Sequence, residues 1–340
     1  MVLNKHNLRT AIAASAAMLV LILDGKTALS GAAEGIWICL NTLIPSLFPF
    51  FLLSILLTGA LRGQFIPFLR PVAKICRIPK GAEPLLAIAL LGGYPVGAQN
   101  VALSYQAGHL TSAQAARMIA FCNNAGPAFI FGILSSMFSI PAAPWLLWAI
   151  HIFSALSVGI LLPGMEERNA VPLSSRPIRL TDALAKAVHT MALVCGWVVV
   201  VRMTLSFLER WILWILPLPL QIAVSGILEL SNGCLQLERL HNEGLRFILA
   251  SGFLALGGIC VTLQTCSVTE GISMKLYFPG KLLQCAVSII LSCLVQFIFP
   301  SHLRYGSIAL LSIFVAILVG FMVALQYYKK SSGIPVSVGV

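Results

Sequence analysis

One carboxylate stands within an apolar stretch of the chain whose neighbouring residues are mostly aliphatic. Glu229 follows two aliphatic residues and precedes the polar pair Ser231 and Asn232. At the centre of a membrane span, an acidic side chain costs about 2.5 to 3.5 kcal/mol on insertion scales, so it requires a partner or a water-filled cavity. Glu229 therefore predicts either a site for a proton, a cation or a solute hydroxyl, or a structural ion pair with Arg202.

A second group of polar residues precedes a helix breaker. Asn123 and Asn124 come just before Gly126 and Pro127. Proline lacks a backbone donor and its ring disturbs the preceding turn, which frees the carbonyl near Asn123. Such a carbonyl beside two amides could bind a cation or a hydroxyl. Hydrogen bonds between helices, worth about 0.6 kcal/mol on average, are the structural alternative.

Two apolar stretches, 91–100 and 227–234, are interrupted by glycine and polar residues at comparable places in the two halves. Paired interruptions of this kind indicate the midplane binding site of a transporter. Close packing is the alternative explanation, because small residues such as Gly93 and Gly97 let membrane helices approach one another. The predicted solute- or ion-binding residues are Tyr94, Gln99, Asn100, Asn123, Asn124, Glu229, Ser231, Asn232, Gln264 and Thr265.

The composition indicates that membrane helices must position these residues. Of the 340 residues, 59% are hydrophobic and 10% are charged, whereas a soluble domain is about 45–50% apolar and about 25% charged. At roughly 20 apolar residues per span, the chain has room for about eight to ten membrane segments. We therefore predict an all-α polytopic membrane protein whose main partner is the lipid bilayer.

The net charge of +11 comes mainly from loops between apolar runs. The basic residues of 62–80 and 164–186 are not interleaved with aromatic residues as a nucleic-acid surface requires, so we expect no nucleic-acid partner. Clusters of Lys and Arg beside membrane segments indicate cytoplasmic loops.

About eight transmembrane helices and two re-entrant hairpins fit this pattern. The hairpins are predicted at 84–105 and 218–237, which places both termini and both basic loops in the cytoplasm. Each half then contains a hairpin followed by a glycine-broken polar helix, in opposite orientations, which is an inverted-topology repeat. The predicted spans are 10–24, 33–61, 118–139, 144–163, 187–210, 245–268, 283–300 and 306–328.

The short motifs of the chain do not match the common signatures of enzymes. Val20 stands where a phosphate-binding loop ending in Lys26 and Thr27 requires its first glycine, and HExxH and GxSxG are absent. The nine cysteines are scattered singly, without the spacing of zinc ligands. We expect no enzymatic activity, no cofactor and no resident metal, and an uncleaved first helix.

Several motifs resemble the sporulation integral membrane protein YlbJ family. They are Pro45-Ser46-Leu47-Phe48-Pro49-Phe50, Gly92-Gly93-Tyr94-Pro95-Val96-Gly97-Ala98, Cys122-Asn123-Asn124-Ala125-Gly126-Pro127 and Leu228-Glu229-Leu230-Ser231-Asn232-Gly233. The resemblance implies the gate domain shared with concentrative nucleoside transporters and ferrous iron permeases, a spore-forming bacterium, and a role in building the spore cortex. It leaves the cargo open, since Gln99 and Asn100 stand where nucleoside carriers use acidic residues.

The resulting hypothesis is secondary transport of a small polar solute, coupled to H⁺ or Na⁺ or facilitative, in the cell membrane of a forespore or mother cell. A non-transporting scaffold for assembly of the spore envelope is the alternative, and a homo-oligomer is compatible with either. The predicted units are an N-terminal helix (1–30), a first gate-like repeat (31–163), a basic cytoplasmic linker (164–186), a second gate-like repeat (187–300) and a C-terminal helix with its tail (301–340).

Overall fold

The computed structural model describes residues 5–61, 66–163 and 178–298, and the regular secondary structure within these ranges is entirely helical. The N-terminal region forms α1 (Lys5–Leu23), α2 (Gly25–Ile38), a π-helical turn (Cys39–Leu43) and α3 (Ile44–Leu61). Asp24 begins α2, because its carboxylate accepts a hydrogen bond from the Thr27 backbone N–H at 3.4 Å. The predicted long helix 33–61 is therefore part of a helical run that starts earlier.

The first hairpin and a broken helix follow in the first half. The helices are α4 (Arg70–Ile75), α5 (Glu83–Leu91), α6 (Val96–Gln106), α7 (Ser112–Cys122), α8 (Pro127–Gly132) and α9 (Ala143–Leu161). The first hairpin consists of α5 and α6, and the broken helix consists of α7 and α8. Thr111 and Gln114 form a capping box that begins α7. The backbone becomes extended at Asn123, and Pro127 starts α8 at the one position where a helix tolerates proline well. The predicted break before Pro127 is confirmed.

The second half has the same order of elements. Its helices are α10 (Leu180–Trp211), α11 (Leu218–Leu228), α12 (Leu230–Gln236), α13 (Glu243–Leu256), α14 (Gly258–Val268) and α15 (Tyr277–Ile298). α11 and α12 form the second hairpin, and α13 and α14 form the second broken helix. α13 ends at Gly257, whose φ of 74° is a left-handed conformation that favours glycine. A hairpin followed by a broken helix thus occurs once in each half.

Five helical runs of the described ranges are long and apolar enough to cross a membrane, rather than the eight predicted. They are Gly25–Leu57, Ala143–Leu161, Leu180–Trp211, Glu243–Val268 and Tyr277–Gln296. The predicted span 10–24 corresponds to a shorter apolar helix, Leu8–Leu23. The predicted span 118–139 is interrupted because residues 123–126 leave the helix, and 306–328 lies outside the described residues. The described part of the chain is all-helical, and the protein is a multi-pass membrane protein.

Each hairpin lies against the broken helix of its own half. In the first half, a Cβ added to Gly93 would lie 3.2 Å from the backbone nitrogen of Gly126. In the second half, a Cβ on Gly258 would lie 3.0 Å from the carbonyl oxygens of Gly226 and Ile227. Both contacts therefore depend on glycine, because no other residue allows backbones to approach so closely.

Small residues also bring the long helices together. A Cβ on Gly31 would lie 2.8 Å from the Cα of Met203, and one on Gly35 would lie 2.8 Å from the Cα of Val199. The numbering runs in opposite directions along the two helices, so α2 and α10 are antiparallel. Close backbone packing of this kind is what holds membrane helices together in the absence of water.

Candidate functional site

A cavity opens between the tips of the two hairpins. Its volume is about 50 Å³. The first tip contributes Tyr94, the second contributes Glu229 and Ser231, and α14 contributes Gln264. The rest of the wall is mostly apolar and includes aromatic side chains of α3 and α8. The cavity thus brings together four of the predicted binding residues from both halves of the chain.

Glu229 is the residue that joins the two helices of the second hairpin. It ends α11 and begins α12 with an extended backbone. Its carboxylate accepts hydrogen bonds from the backbone N–H groups of Ser231 at 2.9 Å and Asn232 at 2.6 Å, and from Asn232 Nδ2 at 2.8 Å. Two of these donors are free N–H groups of the first turn of α12, and the helix dipole adds to their effect. The carboxylate is therefore stabilised within the membrane by the start of a helix.

The alternative that Glu229 forms an ion pair with Arg202 is wrong. The Arg202 guanidinium contacts the carboxylates of Glu34 at 2.5 Å and Glu209 at 3.0 Å. No ion pair joins Glu229 to another residue of the described ranges. Arg202 instead links α10 to α2, away from the hairpin tips.

The two glycine interruptions have different physical causes. Gly93 has a φ of 74° and makes the turn of the first hairpin. Gly233 lies inside α12, where an added Cβ would overlap the backbone of Gly226 on α11. The break of the second hairpin is four residues earlier, at Glu229, so Gly233 is a packing residue.

Tyr94 connects the first hairpin to the second half. Its hydroxyl donates a hydrogen bond to the backbone carbonyl of Leu254 on α13 at 3.0 Å. A Cβ on Gly257 would lie 3.2 Å from the same hydroxyl. The tip of the first hairpin therefore contacts the break of the second broken helix as well as that of the first.

Asn123, Asn124 and Thr265 form a buried polar cluster beside the cavity. Asn123 Nδ2 donates to Thr265 Oγ1 at 2.7 Å and so joins the first break to α14. Asn124 Nδ2 donates to the Phe121 carbonyl at 2.7 Å, while its Oδ1 accepts from Gln284 Nε2 at 2.9 Å. The predicted amides therefore do occupy the break, but the partners of their side chains are protein groups.

Lys281 is the functional candidate that sequence reasoning missed. The residue is 2% exposed, and its ammonium donates to the backbone carbonyl of Asn123, to Gln284 Oε1 at 2.9 Å and to the Tyr94 hydroxyl at 3.1 Å. The predicted span began at residue 283, which left Lys281 in a loop, whereas α15 begins at Tyr277.

The spacing of polar residues in the sequence could have identified Lys281 as a buried residue. Lys281, Gln284, Ser288 and Ser292 recur at helical spacing, and all four are buried. Polar residues spaced by three and four positions share one helix face. A polar stripe along an otherwise apolar helix therefore predicts a buried polar contact for Lys281.

Six of the ten predicted residues do not line the cavity: Asn123, Asn124 and Thr265 of the polar cluster, and also Gln99, Asn100 and Asn232. Asn100 Nδ2 donates to the Val96 carbonyl within its own helix at 2.9 Å. Gln99 is half-buried on α6, away from the residues that line the cavity. Asn232 is buried behind Glu229, which it orients.

Within the part of the chain that the structure describes, no three His, Cys, Asp or Glu side chains are grouped as metal ligands.

A comparison with known proteins agrees with the motifs. The chain is 27% identical to the sporulation integral membrane protein YlbJ of Bacillus subtilis (strain 168), over an alignment that covers 72% of this chain and 71% of that protein. This similarity supports the YlbJ family assignment. No family model matches the chain. No solved structure matches it either.

Proposed function

We propose that this YlbJ-like protein is a secondary transporter of a small polar solute and that the solute binds between the two hairpin tips. The observation that carries the proposal is the cavity that Tyr94 of the first half and Glu229 of the second half line together. Ligand sites are concave, mostly apolar, and supplied with a few convergent polar groups. In many transporters such a site lies at the interface of two repeats.

The order of elements supports a gate-type inverted repeat. Each half has a hairpin whose glycine contacts a broken helix, and discontinuous helices are typical of transporter binding sites. In this proposal Glu229 accepts a hydrogen bond or a cationic group of the solute, while Ser231 and Gln264 provide further polar contacts. The aromatic wall covers the apolar faces of the solute.

Alternating access follows from the same contacts. Closing the cavity on one side and opening it on the other requires one hairpin to move against its broken helix. Contacts between glycines, such as that between Gly93 and Gly126, have no interlocking side chains. The two backbones can therefore slide past each other more easily than at a contact with larger residues. The coupling ion is H⁺ or Na⁺ in this proposal, and the protein acts within the bilayer.

The relative's name supports a role in sporulation. We therefore place this chain in the membrane of a forespore or mother cell and connect its transport to formation of the spore envelope and cortex. The test in cells is deletion of the gene, followed by complementation with wild type and with Glu229→Gln. Spores that lack cortex in the deletion strain and in the Glu229→Gln strain would support this role.

The biochemical test uses purified protein and a panel of nucleosides, amino sugars and metal salts. We expect at least one solute to raise the thermal stability of the wild type and to be taken up by proteoliposomes. Glu229→Gln keeps the size of the side chain but removes its charge, and should lose both effects. Glu238→Gln is the matched control, because Glu238 is an exposed carboxylate nine positions along the chain.

If no solute of the panel changes the thermal stability or is taken up, the result would favour the alternative, a membrane scaffold in which the hairpins serve only to pack the helices. Equal uptake by wild type and Glu229→Gln would show that transport does not use this carboxylate. Loss of uptake in both Glu229→Gln and Glu238→Gln would indicate an unspecific effect of charge.

A further inference from the structure

We propose that the ammonium of Lys281 is a tethered cation that occupies a binding cage for a monovalent metal ion. The cage consists of three neutral oxygens: the Asn123 backbone carbonyl, Gln284 Oε1 and the Tyr94 hydroxyl. They come from the first helix break, α15 and the first hairpin tip, so three elements meet at one cation. Lys281 Nζ donates to each of them.

The charge on Lys281 follows from counting donors and acceptors. A backbone carbonyl can only accept, so the Asn123 oxygen needs a donor. The Tyr94 hydroxyl uses its hydrogen for the Leu254 carbonyl, so its oxygen also accepts from Lys281. An ammonium has three N–H donors and a neutral amine has two. With Gln284 Oε1 as the third acceptor, only the ammonium satisfies all three contacts.

The orientation of the Gln284 amide is fixed by its other end. Gln284 Nε2 donates to Asn124 Oδ1 at 2.9 Å, and Asn124 Nδ2 donates in turn to the Phe121 carbonyl at 2.7 Å. Reversing either amide would place two donors or two acceptors face to face. The chain of hydrogen bonds therefore directs Gln284 Oε1 toward Lys281.

The position of the cage suits a cation. Asn123 ends α7, and the C-terminal end of a helix carries partial negative charge on its unpaired carbonyls. The Lys281 Nζ also lies 5.0 Å from the centre of the Tyr94 ring and 5.9 Å from that of Tyr277, where ring faces attract cations. Within the described ranges, Lys281 forms no ion pair with a carboxylate. Neutral oxygens at a broken helix are what transporters use to bind coupling ions.

Removing the Lys281 side chain would leave these oxygens without a donor. Asn123 Oδ1 is buried and has no hydrogen-bond partner in the described part of the chain, so one more amide oxygen belongs to the same residue. Buried polar groups without partners are costly. A sodium or potassium ion that enters the emptied cage would relieve that cost.

A tethered cation also has a consequence for ion coupling, which rests on the proposed function. If Lys281 already fills the cage, the wild-type protein needs no sodium to hold the hairpin tip, the broken helix and α15 together. Of the two coupling ions in the proposed function, this inference therefore selects H⁺, and we expect solute uptake by the wild type to be the same in sodium chloride and in choline chloride.

The decisive experiment measures thermal unfolding of purified protein in sodium, potassium or choline chloride at equal ionic strength. For Lys281→Ala we expect sodium or potassium to raise the melting temperature by a few degrees in a concentration-dependent way, as a bound ligand does, on the order of 2–4 °C. For the wild type we expect no difference between salts. The side chain of Lys281→Met fills the cage without a charge, so its melting temperature should also be the same in all three salts. Lys275→Ala changes an exposed lysine, and its melting temperature should likewise not depend on the salt.

Each outcome decides the proposal. Stabilisation of the wild type by sodium or potassium over choline would overturn it, because the cage would then not be occupied by Lys281. A Lys281→Ala protein that responds equally to all three salts, or that is misfolded in all three, would also overturn it. A Lys281→Ala protein that folds only in sodium or potassium supports it. Because these measurements need no solute, they remain valid if transport itself is not found.

Discussion

Gln284 Nε2 on α15 donates a hydrogen bond to Asn124 Oδ1 in the break that follows α7, with an N–O distance of 2.9 Å. The two residues are 160 positions apart and both are buried. This contact ties the last described helix to the broken helix of the first half. It is also the link on which the orientation of the Lys281 cage depends.

Gln284→Leu should destabilise the protein by about 2–4 kcal/mol, since it leaves the Asn124 oxygen and one Lys281 donor buried without partners. The measurement is the melting temperature in detergent. Gln296→Leu on the same helix is the control, because Gln296 is only half-buried. A Gln284→Leu protein as stable as this control would show that the hydrogen-bond chain is dispensable.

Gly233→Ala should disrupt the second hairpin, because the new Cβ would overlap the backbone of Gly226. Overpacking of this kind costs typically about 1–3 kcal/mol. In contrast, a Cβ on Gly196 in α10 meets no atom within 4 Å. Gly196→Ala should be neutral or stabilising by roughly 0.5–1 kcal/mol, since alanine is the better helix former. Melting temperatures that fall equally for both variants would contradict the packing role of Gly233.

Arg117→Met should be among the most destabilising substitutions outside the cavity. The buried Arg117 guanidinium donates to the carbonyls of Cys76 at 2.8 Å, Gly159 at 2.5 Å and Pro163 at 2.9 Å. It thereby closes the C-terminal ends of two helices, where cations are favoured. Losing these bonds should cost about 3 kcal/mol or more. The exposed Lys74 provides a control, since Lys74→Ala should stay within about 0.5 kcal/mol.

If the two halves have opposite orientations in the membrane, as the proposed inverted repeat requires, their loops should be labelled from opposite sides. In a background where the exposed Cys266 and Cys293 are serine, Glu238→Cys should react with a membrane-impermeant maleimide on intact cells. Lys80→Cys should react only after permeabilisation, because basic loops remain in the cytoplasm. Equal labelling of both positions from outside would exclude the inverted-topology repeat.

The breaks in the helices were accessible from sequence because they follow from local chemistry. Proline at 127 and glycine at 93 impose backbone conformations that depend on few neighbours. The cost of an acidic group in the membrane likewise pointed to Glu229 without any knowledge of the fold. These predictions needed only residue type and position.

The partners of the polar side chains could not be derived in the same way. Arg202 was matched with Glu229 because both are costly in a membrane, but packing of α2 against α10 brings Glu34 to Arg202 instead. Lys281 was missed because the helix around it begins six residues before the predicted start. Side-chain pairing between distant segments is set by how helices cross, and spacing along one helix carries no information about that.

The π-helical turn at Cys39–Leu43 joins α2 to α3 and sets how far the two helices are rotated relative to each other about their axis. At roughly 100° per residue, an uninterrupted α-helix would turn Phe51 to nearly the opposite side from Gly35. The extra residue of a π turn offsets much of that rotation, so the buried stripe that faces α10 continues toward the cavity. The turn therefore keeps Gly35 and Phe51 on the buried side of the helical run. Deleting one residue there would leave a regular helix, but it would direct either Gly35 or Phe51 into lipid.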